Sequence, residues 1–134
     1  NIRFADVNGD GFFDIVFSRY AIQHSHDTQK VFRETERVLK PGGTLVFLVT
    51  HPIRNYLEKE SKNYWEKEEI SSVILDEKLT VQEPSHTLSE YLSPFLLAHF
   101  NLEEVHEKND PAAKQFDGFG DYPRLLIMKY RKKN

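Results

Sequence analysis

The stretch RVLKPGGTLVFLVTHP, residues 37–52, decides the fold, because it sets a helix end, a proline–glycine stop and an apolar strand in immediate succession. Upstream, from His26 to Lys40, Val31, Phe32, Thr35, Val38 and Leu39 fall on one stripe of a 3.6-residue period while charges take the other positions. Ser25 or Asp27 caps the start, and Lys40-Pro41-Gly42-Gly43 ends it, since proline cannot continue a helix and glycine accepts a left-handed exit. Thr44 to Thr50 is then a continuous apolar strand, and Phe13 to Ser18, before the helix, reads the same way. Strand, helix and strand with short connections make a βαβ unit, hence a parallel pair with a right-handed crossover.

The rest of the composition narrows the class. At 134 residues the chain is long enough for one core, and 39% hydrophobic with 29% charged residues is ordinary for a globular domain. A net charge of −3 offers no basic field to nucleic acid or anionic lipid. No cysteine is present, which removes disulfides, thiolate metal sites and a cysteine nucleophile together, and fits a reducing, cytoplasmic setting. The apolar runs, such as Leu45 to Val49, are too short to span a bilayer. The chain opens on Asn1 rather than methionine, so the expectation is a portion of a longer polypeptide.

Past Pro52 the pattern changes. Residues 54–69 are dominated by charge, with Tyr56, Leu57, Tyr64 and Trp65 interspersed and Glu58 four residues before Lys62. This segment is either a solvated helix or a lid whose Tyr56, Tyr64 and Trp65 close over a substrate; three large aromatics favour the lid. Ser71 to Gln82 reads as a hairpin around Asp76-Glu77-Lys78. Thr87-x-x-Glu90 is a capping box opening a helix to about His99, with a kink at Pro94. Leu102 to His106 and Leu125 to Tyr130 are further strands, and residues 111–124 form a loop.

The opening segment admits two readings. Asp6, Asn8, Asp10 and Asp14, with Gly11 between, alternate like a calcium loop, yet Phe17 stands where an EF-hand needs a bidentate glutamate. The pattern also resembles calcium-binding β-propeller repeats, which occur in multiple copies, whereas here there is one. Asn-Gly and Asp-Gly are equally the commonest turn dipeptides, and a turn into a buried strand, with no metal, is the expectation.

FDIVFSRYAIQH (residues 13–24), RVLKPGGTLVFLVTHP (residues 37–52) and HTLSEYL (residues 86–92) together resemble the C-terminal half of a class I S-adenosylmethionine-dependent methyltransferase. The resemblance implies an α/β, Rossmann-like three-layer sandwich, a mostly parallel sheet with an antiparallel C-terminal strand and its N-terminal strands missing. Residues 1–134 would be a single, partial domain, with 53–86 a substrate-side lid inserted within it. In such open sheets ligands sit beyond the carboxyl ends of the strands. The resemblance implies S-adenosylmethionine contacts at Ser18, Arg19 and Tyr20, with His24 nearby, and at Asp6 toward the adenine. The substrate, a small molecule rather than a nucleic acid or a membrane, would meet His51, Tyr56, Tyr64 and Trp65.

His51 ends a central strand, where an imidazole is suited to act as a general base toward a substrate hydroxyl. Most of the other histidines read as surface or cap residues, and His24 as a pocket wall rather than a base. The glycine-rich cofactor loop of the family and the acidic residue ending its second strand have no counterpart in this sequence. Hence the alternatives: a non-catalytic remnant, or a subunit completed by a partner. Ile2 to Ala5 either docks away from its usual neighbours or waits for the missing half, and an exposed sheet edge is a route to a homo-oligomer.

Overall fold

The computed structural model describes residues 2–7, 9, 12–74, 78–110 and 118–134. A five-stranded sheet organises them: β1 (Ile2–Ala5), β2 (Phe13–Arg19), β3 (Leu39–Thr50), β6 (Phe100–Lys108) and β7 (Leu125–Lys132), in the order β1-β2-β3-β7-β6. The remaining strands, β4 (Glu69–Ile74) and β5 (Leu79–Pro84), form a separate antiparallel hairpin. Of the residues expected to turn it, Asp76 and Glu77 lie outside the described residues. The helices are α1 (Thr28–Val38), α2 (Pro52–Glu58), α3 (Leu88–Tyr91) and α4 (Pro94–His99), with one 3-10 turn at Ile22–His24.

The β2–α1–β3 unit is the expected parallel crossover, with Val16 opposite Leu45 and Ser18 opposite Phe47. Asp27 rather than Ser25 caps α1, accepting the Lys30 N–H at 3.0 Å. The Pro41-Gly42-Gly43 stop is absorbed into β3: register jumps from Phe13↔Leu39 to Ile15↔Thr44, so residues 40–43 bulge out of the ladder. Gly43 needs its bare Cα there, because a Cβ would come within 2.9 Å of the Lys40 carbonyl and 3.1 Å of the Asp14 carbonyl. β7 runs antiparallel to both β3 and β6, so β2, β3 and β6 share one direction and β1 and β7 oppose them.

One open alternative is decided and three expectations change. Ile2–Ala5 docks directly on β2, antiparallel, with Ile2 opposite Ser18 and Ala5 opposite Ile15. The helix expected from Thr87 to His99 is two helices. Proline lacks the N–H to continue α3, and Ser93 instead caps α4, its hydroxyl accepting the Leu96 N–H at 3.1 Å. Half of the capping box forms: the Glu90 carboxylate accepts the Thr87 N–H, but the Thr87 hydroxyl pairs with Ser89 at 3.1 Å and makes no capping bond. Glu58 pairs with Arg54 at 2.8 Å and not with Lys62, whose ammonium donates to the Leu57 carbonyl.

The core occupies one face of the sheet. Val16, Leu45, Phe47, Val49, Leu126, Met128 and Tyr130 meet Phe32 of α1, Tyr91 of α3 and Leu96 of α4, all essentially buried. Tyr130 donates its phenol to the Tyr91 carbonyl at 2.6 Å. On the opposite face Ile15 and Phe17 are 42% and 40% exposed. The described residues thus supply two of the three expected layers. None of their helices is long and apolar enough to cross a membrane.

Candidate active site

Two parallel strands, β2 and β3, end side by side, and their exits define the site. Ser18 faces the core and is fully buried, yet its hydroxyl has no hydrogen-bond partner. After Arg19 the chain turns at Tyr20, which holds φ +52°, a conformation rare for a residue with a side chain, and donates its N–H to the Leu48 carbonyl at 2.9 Å. The Arg19 guanidinium lies 6.0 Å over the Tyr20 ring. Burial, followed by the nearby Asp110 carboxylate, pushes the Tyr20 phenol up from its ordinary range, so it stays a neutral donor.

The next turn locks the end of β3. Gln23 accepts the Thr50 N–H at 2.7 Å and donates to the buried Glu83 carboxylate at 3.0 Å. Its carbonyl faces His86 Nε2 at 2.6 Å, and His86 Nδ1 faces Glu90 at 2.5 Å. Both ring nitrogens of His86 therefore face oxygen atoms. His24 lies 3.6 Å from Glu83, with its side chain half exposed. This network ties the 3-10 turn, β5 and α3 together beneath the strand ends.

Glu83 gives a pH prediction. Burial raises its pKa from the ordinary 4.5, offset only in part by Gln23 and His24. A group whose folded pKa is raised contributes stability below its unfolded pKa and loses it as pH climbs through the folded value. Glu83→Gln keeps an acceptor for Gln23 and removes the buried charge. Its melting temperature at neutral pH is expected to equal or exceed that of the unsubstituted chain, with a flatter profile above pH 4.5. A thermal scan at several pH values checks this; a lower melting temperature with an unchanged slope would refute it.

His51 follows β3 and caps α2. Its Nδ1 accepts the Ile53 N–H at 3.0 Å, which places the ring proton on Nε2, 2.5 Å from the Glu107 carboxylate. Both nitrogens are engaged. Alongside, His51, Pro52, Ile53, Tyr56, Tyr64 and Leu88 line a cleft of about 330 Å³ with almost wholly apolar walls. Tyr56 and Tyr64 meet edge to face at 6.3 Å, and the Tyr64 phenol accepts the Leu88 N–H at 2.8 Å. Trp65, 77% exposed, packs edge-on against the outer side of Tyr64 at 4.9 Å.

The charged segment is ordered around Lys59, whose ammonium is buried and donates to the carbonyls of Asn63 at 2.6 Å, Tyr64 at 3.2 Å and Glu66. Glu68 closes the same loop by accepting the N–H groups of Glu60 and Ser61.

The structure thus gathers Ser18, Arg19, Tyr20 and His24 at one end of the sheet, and His51, Tyr56 and Tyr64 around the cleft. It does not bring Asp6 to them. Because β1 is antiparallel to β2, Asp6 lies beside the start of β2, on the order of 20 Å from Arg19 along a strand rising ~3.3 Å per residue. There its carboxylate accepts the Gly9 N–H at 2.8 Å, while Asp14 accepts that of Val7 and pairs with Lys40 at 2.6 Å. Asn8, Asp10 and Gly11 of the cation-loop reading lie outside the described residues. Among the described residues no group of three or more His, Asp or Glu side chains is arranged to hold a metal.

Gln23, Glu83, His86, Ile53 and Leu88 were not singled out by sequence. The closest signal is the polar run Glu83 to His86 between two apolar segments.

The residues present fit part of the cofactor that the resemblance implies. The orphaned Ser18 hydroxyl and the neutral Tyr20 phenol offer polar contacts at the strand exits. Gly43, in contrast, is filled by packing within the bulge and offers no ribose cradle.

A family model described as a methyltransferase domain matches residues 5–47. The uncharacterized protein YafE of Escherichia coli (strain K12) is 46% identical over 50 residues, 34% of this chain and 24% of that protein. Phosphoethanolamine N-methyltransferase 2 of Caenorhabditis elegans is 45% identical over 53 residues, 40% of this chain and 12% of that protein. In shape, an S-adenosylmethionine-dependent methyltransferase from Mesorhizobium loti superposes with a TM-score of 0.65 at 22% identity, covering 91% of this chain and 62% of that one. The chain therefore spans only part of the length of the proteins it matches. Residues 5–47 thus match a methyltransferase-domain model, and the sheet shares the fold of S-adenosylmethionine-dependent methyltransferases of known structure.

Proposed function

We propose that this chain is the C-terminal portion of an S-adenosylmethionine-dependent methyltransferase acting on a small molecule in the cytoplasm. The observation that carries the reading is the buried, unpartnered Ser18 hydroxyl next to the carboxyl end of β2. A buried hydroxyl without a partner costs about 1–3 kcal/mol, and a ligand group would remove that cost.

When bound, S-adenosylmethionine supplies an activated methyl group. Ser18, Arg19, Tyr20 and His24 would hold it. Residues 53–86 form the substrate side, with Tyr56 and Tyr64 walling the acceptor and Trp65 backing Tyr64. Displacement at a methyl carbon gains chiefly from alignment and exclusion of water, which a rigid apolar wall provides. His51 orients that wall through its contact with Ile53. With Nδ1 bonded to the Ile53 N–H and the Nε2 proton held by Glu107, His51 would act as a base only after its Nδ1 is released from Ile53.

Calorimetric titration of S-adenosylhomocysteine into the chain tests this. Saturable binding is expected, with Ser18→Ala weakening it about tenfold, the loss of one hydrogen bond of ~1.4 kcal/mol. Absence of binding up to millimolar ligand would leave the second reading, a subunit completed by further protein. The uncovered apolar sheet face with Ile15 and Phe17 favours that second reading. Edge strand β1 is then the route to association, including self-association, and light scattering across a concentration series reports it.

A further inference from the structure

The cleft beside β3 carries information about what it accepts. Its volume of about 330 Å³ is roughly twice that of a ~150 Å³ apolar cavity that takes up benzene. It has room for one ring with a short chain, or two fused rings. Pro52, Ile53 and Leu88 supply aliphatic walls, and the two tyrosines form an aromatic corner, 69° between rings, suited to the edge of a third ring.

The polar groups at the rim are already satisfied. His51 Nε2 is turned to Glu107, Arg54 to Glu58, and the Leu88 N–H to Tyr64. No cationic cluster is left for a phosphate or carboxylate. The Glu107 carboxylate that would accompany an ammonium ion is bound to His51, and aliphatic side chains occupy the sides where a cationic cage would place ring faces. Of the polar side chains lining the cleft, the Tyr56 phenol alone has no hydrogen bond to the described residues, and it is available to orient one hydroxyl.

We propose that this cleft takes a neutral, largely apolar alcohol or phenol of one or two rings, its hydroxyl set by Tyr56. The inference rests on the methyl-transfer reading only in naming this molecule the acceptor; the ligand chemistry is argued from the cleft itself.

The test uses the chain without cofactor and benzyl alcohol as probe. Trp65 is the only tryptophan and touches Tyr64, so its fluorescence reports the wall. Saturable binding in the millimolar range is expected. Leu88→Glu should weaken it at least tenfold; Leu88 is 37% exposed, so the substitution is tolerated, and circular dichroism verifies that. Tyr56→Phe should weaken benzyl alcohol several-fold and leave toluene unchanged.

Binding of tetramethylammonium or phosphoethanolamine in preference to benzyl alcohol would overturn the proposal, as would equal affinity in Leu88→Glu. Benzyl alcohol binding without S-adenosylhomocysteine binding would uphold the ligand class and remove the methyltransferase reading. The reverse pattern would remove only this inference.

Discussion

Phe47→Ala is expected to unfold the chain or leave it with native-like secondary structure and no fixed packing, whereas Phe17→Ala on the neighbouring strand should cost under about 1 kcal/mol. The two phenylalanines sit on opposite faces of one sheet. Phe47 is fully buried, with ring centroids 5.5 Å from Phe32, 5.7 Å from Tyr91 and 6.1 Å from Tyr130. It therefore joins β3 to α1, α3 and β7 at once, and losing a ring from such a position costs about 3–5 kcal/mol. Total stabilities of ~5–15 kcal/mol leave little after that, and a sheet covered on one face belongs at the low end.

Phe17 is 40% exposed and has far less to lose. Urea denaturation followed by near- and far-ultraviolet circular dichroism separates the cases. If Phe17→Ala proves as costly as Phe47→Ala, the far face is covered in solution, and the one-sided core is wrong as a description of the assembled protein.

The contrast between those faces also marks what the sequence could express. The β2–α1–β3 unit was legible because its signals are local: a stripe of period 3.6, a capping Asp27, a Pro41-Gly42-Gly43 break and two apolar runs. The antiparallel direction of β7 came only from the family resemblance. Ile2–Ala5 was not legible as a partner of β2, because four residues carry no register information once their usual neighbours are absent.

Thr87 misled for a different reason. Its hydroxyl turns to Ser89 and leaves the cap half made, while Glu90 is shared with His86, itself fixed by Gln23 from 63 residues away. Such a network has no sequence period. The same holds for the cleft: Tyr56 and Tyr64 stood out as aromatics in a charged segment, but Leu88 meets them only because the hairpin returns the chain to α2. The role of Asp6 rested on family position alone, and it failed once β1 reversed.

Lys59 is the residue whose loss should most change the candidate substrate side. Lys59→Met is expected to destabilise the chain by about 2 kcal/mol, the scale of a charge-assisted hydrogen bond lost at a buried position, while leaving the five-stranded sheet intact. Its ammonium is the centre around which residues 59–66 wind, with three carbonyls converging on one nitrogen. Burial pulls its pKa below the ordinary lysine value, with Glu68, Glu66 and Glu90 opposing.

Methionine matches the stem and leaves the carbonyls without their cation, so the loop should open and expose Lys62 and Lys67 to trypsin at least tenfold faster. Lys59→Arg restores the charge, but a planar guanidinium cannot meet three carbonyls at a single point, and it should rescue only in part. Because Tyr64 rides on this loop and Lys59 does not line the cleft, benzyl alcohol affinity should fall about tenfold in Lys59→Met with far-ultraviolet circular dichroism unchanged. Faster proteolysis with undiminished benzyl alcohol affinity would mean that Tyr64 is held by Tyr56 and Leu88 without the loop, and Lys59 would then be a stabilising residue with no part in positioning the wall.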